Sequence, residues 1–434
     1  MQKLNQDEKK ERAILVGIRL KKETKKYSEP LEELASLAKT ADVESIVRVT
    51  QSRFGIHPGT YVGKGKLEEV KSIADEVDAD LIIFDDDLSP GQARKLEKIF
   101  NRIVIDRTEL ILHIFAAHAQ TKEAKLQVEL AQLEYALPRL KRMWDHLDRY
   151  EGGIGTRGPG EKQLEIDRRL IKNRIHALSK NIKIIQERKV REVETRNDNF
   201  FTVGLVGYTN AGKSTLMNQL TKADVYVQDE LFATLDTRTR VWEIDEDHKA
   251  LLSDTVGFID KLPHHLVASF KATLEEASQA NLLLHVIDTS HPDVVHNISV
   301  VNKVLEEIGL EHKPQIFVFN KIDLLKDKVL VGYLSEKYPY NIQISAKQGI
   351  NIDQLSNKII EILEENFVEK KVKIPNTNGH LLAWFEKNSK IINREQKDDY
   401  SIYHVKLEKA RAGWVSKKIS ELNQDIEMQE TTLS

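Results

Sequence analysis

The spacing of hydrophobic and polar positions changes along this chain, and each change marks a different kind of structure. Over residues 13–105, short apolar runs alternate with amphipathic stretches. Residues 13–18, 43–49, 81–84 and 103–105 read as strands, nearly continuous in Val, Ile and Leu. Between them, 31–39 and 66–77 carry helical spacing, and Ser89-Pro90 opens a third helix with Ser as N-cap and Pro at the first helical position. Strands alternating with helices predict a parallel sheet with helices on its faces.

The period then becomes seven. Leu126, Leu130, Leu133, Leu137, Leu140, Trp144 and Leu147 alternate in steps of four and three, and Leu164, Ile171, Ile175, Leu178, Ile182 and Ile185 form a second series. Such a seam belongs to paired helices. The connection at 151–160 holds five glycines and cannot be helical. We therefore expect an antiparallel helical hairpin with arms of roughly 40 Å, the first arm kinked at Pro138.

A third region starts with the apolar run 200–206, which leads into Gly207, Tyr208, Thr209, Asn210, Ala211, Gly212, Lys213, Ser214 and Thr215. Strand, glycine-rich loop and helix in this order make a phosphate-binding loop. The two glycines let successive N–H groups face phosphate oxygens. Lys213 is expected at the β- and γ-phosphates and Ser214 at Mg²⁺, with the helix N-terminus adding partial positive charge. A chance glycine turn would lack the motifs that follow.

Asn320, Lys321 and Asp323 follow the apolar run 315–319, so they sit at the C-terminal end of a buried strand, where α/β sheets bind ligands. A carboxylate only accepts hydrogen bonds. Guanine offers it two donors and adenine does not, so Asp323 should select guanine. Asn320 should tie the base loop to the phosphate loop, and the stem of Lys321 should lie over the base. Ser345, Ala346 and Lys347 should complete the pocket with backbone N–H groups.

Between these lie Asp254 and Gly257. The first is expected to hold Mg²⁺ through water and the second to offer its N–H to a γ-phosphate, forming a switch that relaxes on hydrolysis. The loop 231–236 reads as the other switch. Thr234 is the expected Mg²⁺ contact, with Thr237 and Thr239 as rivals. Ras-like enzymes place a water-orienting Gln after the switch glycine. Here Phe258 stands in that place, so intrinsic hydrolysis should be slow. Asn210 is a candidate ligand for K⁺ near the phosphates, or else bonds within its own loop. Equal turnover in KCl and NaCl would remove the K⁺ reading.

Charge refines the picture. Of 434 residues 31% are charged, yet the net charge is −3. Residues 138–192 hold 15 Lys/Arg against 8 Asp/Glu, which suggests an anionic partner. At the hairpin tip, Arg157 with Arg149 and Lys162 is a candidate RNA contact, the glycines allowing close approach to a phosphate backbone. A mobile connector is the plainer alternative. The tip's G-x-G-x-x-G match is rejected, because no strand precedes it. Asp85, Asp86 and Asp87 could hold a metal, but acids at a strand end are more often solvated, and 63–66 reads as a basic turn. No cysteine is present, which excludes disulfides and thiol chemistry. The polar N-terminus is no signal peptide, and no apolar run can span a bilayer.

The fold class is thus multidomain α/β. We expect an N-terminal parallel-sheet domain over 1–120, a helical hairpin over 121–198 with its tip at 150–162, and a Ras-like P-loop GTPase domain over 199–366. A small α+β domain should fill 367–434, with the last ten or so residues disordered.

Several stretches together resemble the HflX family of ribosome-associated GTPases. They are 61–69, 106–112, 127–133 and 152–161, along with Phe232-Ala-Thr-Leu-Asp236 and Asp254-Thr-Val-Gly-Phe258. Thr237 departs from the family form, where many members have Pro. The resemblance implies binding to the large ribosomal subunit and its rRNA, with the tip 150–162 reaching the peptidyl-transferase region. It implies that the GTP form separates stalled or idle ribosomes into subunits, and that the ribosome stimulates hydrolysis. A monomer is expected, cytoplasmic or associated with the ribosome or a membrane surface. An assembly GTPase acting on immature large subunits is the nearest alternative. An ATP-driven RNA-remodelling enzyme using the N-terminal domain is the third.

Overall fold

The computed structural model describes residues 10–20, 31–140, 159–197, 200–222, 231–232, 238–261, 277–325, 329–408 and 428–430. These fall into two compact units, Met1–Ile352 and Asp353–Ser434.

The first unit begins with β1 (Arg12–Leu20), β2 (Glu44–Arg53), β3 (Leu81–Phe84) and β4 (Ile103–Asp106). They form one parallel sheet in the order β2-β1-β3-β4. Helices α1 (Glu32–Thr40), α2 (Lys64–Glu76) and α3 (Pro90–Phe100) connect them. Ser89 caps α3 in a full capping box with Gln92, which orients two N–H groups that the first turn leaves without helical partners. Apolar residues fill both faces of the sheet, Leu15 and Ile83 on one and Ile14 and Ile82 on the other.

One helix here escapes the sequence reading. α4 (Arg107–His118) follows β4 without a loop, and Asp106 caps it by accepting from the Glu109 N–H at 2.9 Å. Leu110, Ile111, Leu112, Ile114 and Phe115 are all buried, so it carries no one-sided apolar stripe to betray it.

The hairpin's first arm is α5 (Lys122–Ala136), which gives way to a 3-10 turn at Leu137–Arg139, the place where Pro138 removes a helical N–H. The second arm is α6 (Pro159–Asn197). Leu130 packs with Leu178 and Ile182, flanked by Leu126, Leu133 and Ile175, as the seven-residue period requires. The Arg174 guanidinium straddles the Glu129 carboxylate at 2.7 and 2.9 Å. Trp144, Leu147, Arg149 and Arg157 lie outside the described residues, as does the side chain of Lys162.

A second, six-stranded sheet of this unit runs β10-β9-β8-β5-β7-β6. Its members are β5 (Phe201–Gly207), β6 (Arg238–Glu243), β7 (Lys249–Asp254), β8 (Leu282–Asp288), β9 (Gln315–Asn320) and β10 (Asn341–Gln343). Only the β6–β7 pair is antiparallel. β5 lies between β8 and β7, so the loop leaving it opens at the C-terminal edge of the sheet.

The second unit contains the helix Ile352–Glu365 from Asp353 onward, a four-stranded antiparallel sheet and the helix Gly379–Asn388. Phe385, Tyr403, Val372 and Ile374 centre its core. Met428–Glu430 forms a strand paired with Lys370–Val372, which corrects the expectation of disorder for these three residues; 431–434 lie outside the described residues.

Candidate nucleotide-binding site

The phosphate loop is built as a nest at the end of β5. Gly212 sits at φ 93° as N-cap of α7 (Lys213–Thr221). A Cβ there would come within 2.4 Å of the Asn320 amide, so both conformation and space demand glycine. Asn210 takes the left-handed region at φ 58°, and it is exposed. Lys213 is buried, with Nζ donating to the Gly207 and Tyr208 carbonyls at 3.1 and 2.9 Å. Burial lowers its pKa to about 8, against a smaller upward pull from Asp254. An anion placed beside it would favour the charged form further.

Ser214 donates its hydroxyl to Asp254 at 2.7 Å. A hydroxyl and a carboxylate side by side at the mouth of the loop are hard oxygen donors, the set Mg²⁺ prefers. Thr215 sits in the first turn of α7, half-buried. Thr234 and Thr237 lie outside the described residues. Thr239 is in β6, its hydroxyl 3.0 Å from Ser253 Oγ.

Asn320 joins the two halves of the site. Its Nδ2 donates to the Ala211 carbonyl at 2.8 Å, and its Oδ1 accepts from the Ala346 N–H at 2.9 Å. One buried amide thus links the phosphate loop to the 345–347 loop. Lys321 sits at φ 63° and pairs with Asp288 at 2.7 Å, which fixes its stem. Asp323 stays partly exposed and receives a 3.4 Å bond from the Gln348 amide. The Ser345 hydroxyl caps the turn by accepting from the Gln348 N–H at 3.2 Å, and Lys347 is exposed.

The Asp254–Gly257 segment lies directly against the phosphate loop. The Phe258 N–H donates to the Gly207 carbonyl at 3.1 Å, and its carbonyl accepts from the Thr209 N–H at 2.7 Å. A Cβ on Gly257 would lie 2.8 Å from the Thr209 Cα and 3.1 Å from Lys213 Nζ. The Phe258 ring turns into the core with Val206, Ala277, Leu283 and Val301. It fills space there and presents no polar group to an attacking water.

A group that the sequence reading passed over adjoins this segment. Arg107, 3% exposed at its side chain, pairs with Glu33 of α1 and with Asp85 at 2.9 Å. It also donates to the Asp260 carbonyl at 3.0 Å. Lys261 pairs with Asp85 and Asp86, each at 2.6 Å. Asp86 also accepts from the Tyr61 hydroxyl, and Asp87 accepts from the Thr108 hydroxyl. The three acids are therefore neither a metal site nor simply solvated; they bind residues across the unit. Among the described residues no cluster of three or more candidate ligands could hold a metal. His285, buried on β8, has its pKa lowered to about 3 by burial and by Lys213, so it stays neutral.

A mostly parallel sheet whose first strand ends in this loop, with an acid at the next strand end and Asn-Lys-x-Asp two strands over, is that of a P-loop GTPase. Family models match the chain in order: a GTP-binding GTPase N-terminal region over 28–116, a middle region over 118–196, a 50S ribosome-binding GTPase over 202–321 and an HflX C-terminal domain over 334–429. GTPase HflX of Escherichia coli is 44% identical over 394 residues, covering 90% of this chain and 92% of that one. GTPase HflX of Caldanaerobacter subterraneus is 49% identical, covering 83% and 82%. That of Alkalihalophilus pseudofirmus is 45% identical, covering 86% and 88%. The chain belongs to the HflX family of GTPases, and its reaction is GTP hydrolysis. Among the described residues no helix is long and apolar enough to cross a membrane.

Proposed function

We propose that this GTPase binds the large ribosomal subunit, that its GTP-bound form separates stalled or idle ribosomes into subunits, and that hydrolysis releases it. The observation that carries this is the match of residues 202–321 to the 50S ribosome-binding GTPase model within a chain of HflX type throughout. The basic hairpin supports it, because a long arm rich in Lys and Arg is suited to a polyanion. In this reading the tip 150–162, with Arg149, Arg157 and Lys162, touches rRNA near the peptidyl-transferase region. The domain division proposed is 1–120, 121–198, 199–366 and 367–434. A cytoplasmic monomer is the form proposed to meet the ribosome.

At the site, the loop 207–215 cradles the phosphates and Lys213 holds the β- and γ-phosphates. Ser214 and Asp254 hold Mg²⁺, with Thr234 from the other switch. When bound, Mg²⁺ neutralises charge on the phosphate oxygens. Gly257 offers its N–H to the γ-phosphate. Asn320, Lys321, Asp323 and the 345–347 loop enclose guanine. Asn210 sits on the solvent side of the loop, where K⁺ could add a positive charge; turnover in KCl several-fold above that in NaCl is the expected sign. Phe258, turned into the core, leaves the water without a positioning group, so the ribosome supplies or orders one.

The test is GTP turnover of the full chain with and without purified large subunits in matched KCl buffer. Stimulation of at least tenfold is expected. Replacing Arg157 with Ala should weaken subunit binding and flatten its salt dependence. Tight GTP binding with no stimulation would place the partner elsewhere.

A further inference from the structure

We propose that Tyr208 is a positioning residue. Its hydroxyl, held by Glu33 of the N-terminal sheet's first helix, fixes the backbone after Gly257 and so makes the N-terminal region part of the apparatus that tells GTP from GDP. This rests on the reading above that the Gly257 N–H meets the γ-phosphate.

A phosphate loop works through its backbone, which leaves the Tyr208 side chain available for another task. Here that side chain is half-buried and makes two bonds at one oxygen. It accepts from the Asp260 N–H at 2.7 Å and donates to a Glu33 carboxylate oxygen. Burial and the Glu33 charge raise its pKa, so the hydroxyl keeps its proton and can donate.

The residues after Gly257 are anchored one by one. Phe258 is bonded through its backbone to Gly207 and Thr209. Ile259 is 1% exposed in the core that also holds Leu34, Leu110 and Phe115. Asp260 is gripped at its N–H by Tyr208 and at its carbonyl by Arg107. Lys261 is paired to Asp85 and Asp86. Gly257 stands immediately before this run and close to Lys213, so the place of its N–H follows from the anchors.

The other switch is tied to the same body. Phe232 meets Phe115 edge to face, 4.7 Å between ring centroids, and the Leu231 N–H donates to the Thr40 hydroxyl at 3.3 Å. The N-terminal sheet and α4 therefore form the floor on which both switch segments rest. A hydrogen bond fixing one peptide is worth about a factor of five to ten in an equilibrium. It should count only for a ligand that uses that peptide, and GDP lacks the γ-phosphate.

The experiment measures equilibrium binding of GDP and of a non-hydrolysable GTP analogue to the full-length chain with Mg²⁺, alongside melting temperature. Variants are Tyr208→Phe, Glu33→Gln, both together, and Gly257→Ala. Tyr208→Phe is expected to weaken the analogue about five- to tenfold and GDP less than twofold. Glu33→Gln should act in the same direction, and the double variant should be little worse than Tyr208→Phe, since the two share one chain of bonds. Equal loss for both nucleotides would make Tyr208 merely structural. An unchanged ratio in Tyr208→Phe, with selective loss in Gly257→Ala, would overturn the positioning role and leave the γ-phosphate reading standing. An unchanged ratio in Gly257→Ala as well would overturn both. An effect of Tyr208→Phe without one of Glu33→Gln would overturn the part assigned to Glu33.

Discussion

Replacing Lys213 with alanine is expected to lower nucleotide affinity at least a hundredfold and abolish measurable GTP turnover, while the nucleotide-free protein melts within a few degrees of the wild type. Two opposing costs set the second half of that statement. Burial holds Lys213 at about 8 against a usual 10.5. Keeping it charged in the folded protein at neutral pH therefore costs roughly 3 kcal/mol. A lowered lysine pKa carries its full cost below the folded value, and the cost fades as pH rises from about 8 to 10.5. Alanine removes this cost at neutral pH. It also deprives the Gly207 and Tyr208 carbonyls of their donor, at about 1–3 kcal/mol. The two nearly cancel. No such cancellation occurs with nucleotide bound, where the ammonium would make charge-assisted bonds to β- and γ-phosphate oxygens, each worth about 1.5–3 kcal/mol. Two of them amount to about 3–6 kcal/mol, or two to four decades in affinity. Parallel calorimetry and thermal melts decide the matter. A fall in melting temperature in proportion to the loss of binding would make Lys213 a structural cation.

The residues that could be read from sequence are those whose chemistry fixes their spacing. The Gly207–Ser214 motif must follow a strand and open a helix, and it does so at β5 and α7. Asn320 must reach from one loop to another, and its two amide bonds do. The hairpin seam followed from a seven-residue period that only paired helices use. What could not be read was the network of Glu33, Arg107, Tyr208, Asp260 and Lys261. Its members lie up to about 228 positions apart in the chain, in four separate segments, and no local pattern links a glutamate in an amphipathic helix to a tyrosine in a phosphate loop. Arg107 carried a faint signal, a charge directly after a buried strand, but α4 was hidden because burial on most sides erased its periodicity. Asp85 and Asp86 looked like acids facing water, since their cations arrive from sequence more than 20 residues away in one case and about 175 in the other. Long-range ion pairs depend on tertiary packing, which the order of residues encodes only collectively.

The second large effect concerns the base. Asp323→Asn is expected to weaken GTP binding by two to three decades and to bring xanthosine triphosphate into the range the wild type shows for GTP. The carboxylate in the 3-10 turn after β9 presents two acceptors, and its partial exposure leaves it open to a ligand. Guanine would meet it with N1–H and the 2-amino group, so both oxygens would be used. Asparagine keeps one acceptor and turns the other into a donor, which then faces the amino group. The lost bond to a charged acceptor costs about 1.5–3 kcal/mol and the opposed donors add to it, for a total of about 3–4 kcal/mol. Xanthine has an oxygen where guanine has the amino group, so the new donor gains a partner and the remaining acceptor keeps N1–H. The surrounding geometry should survive, since the side chains have the same shape. Gln348 can turn its amide to offer an acceptor in place of the 3.4 Å donor it now supplies. Competition binding of the two triphosphates on wild type and variant measures the exchange. Equal loss of both would mean that Asp323 supports the loop without reading the base, and selectivity for guanine would then have to come from the backbone N–H groups of 345–347.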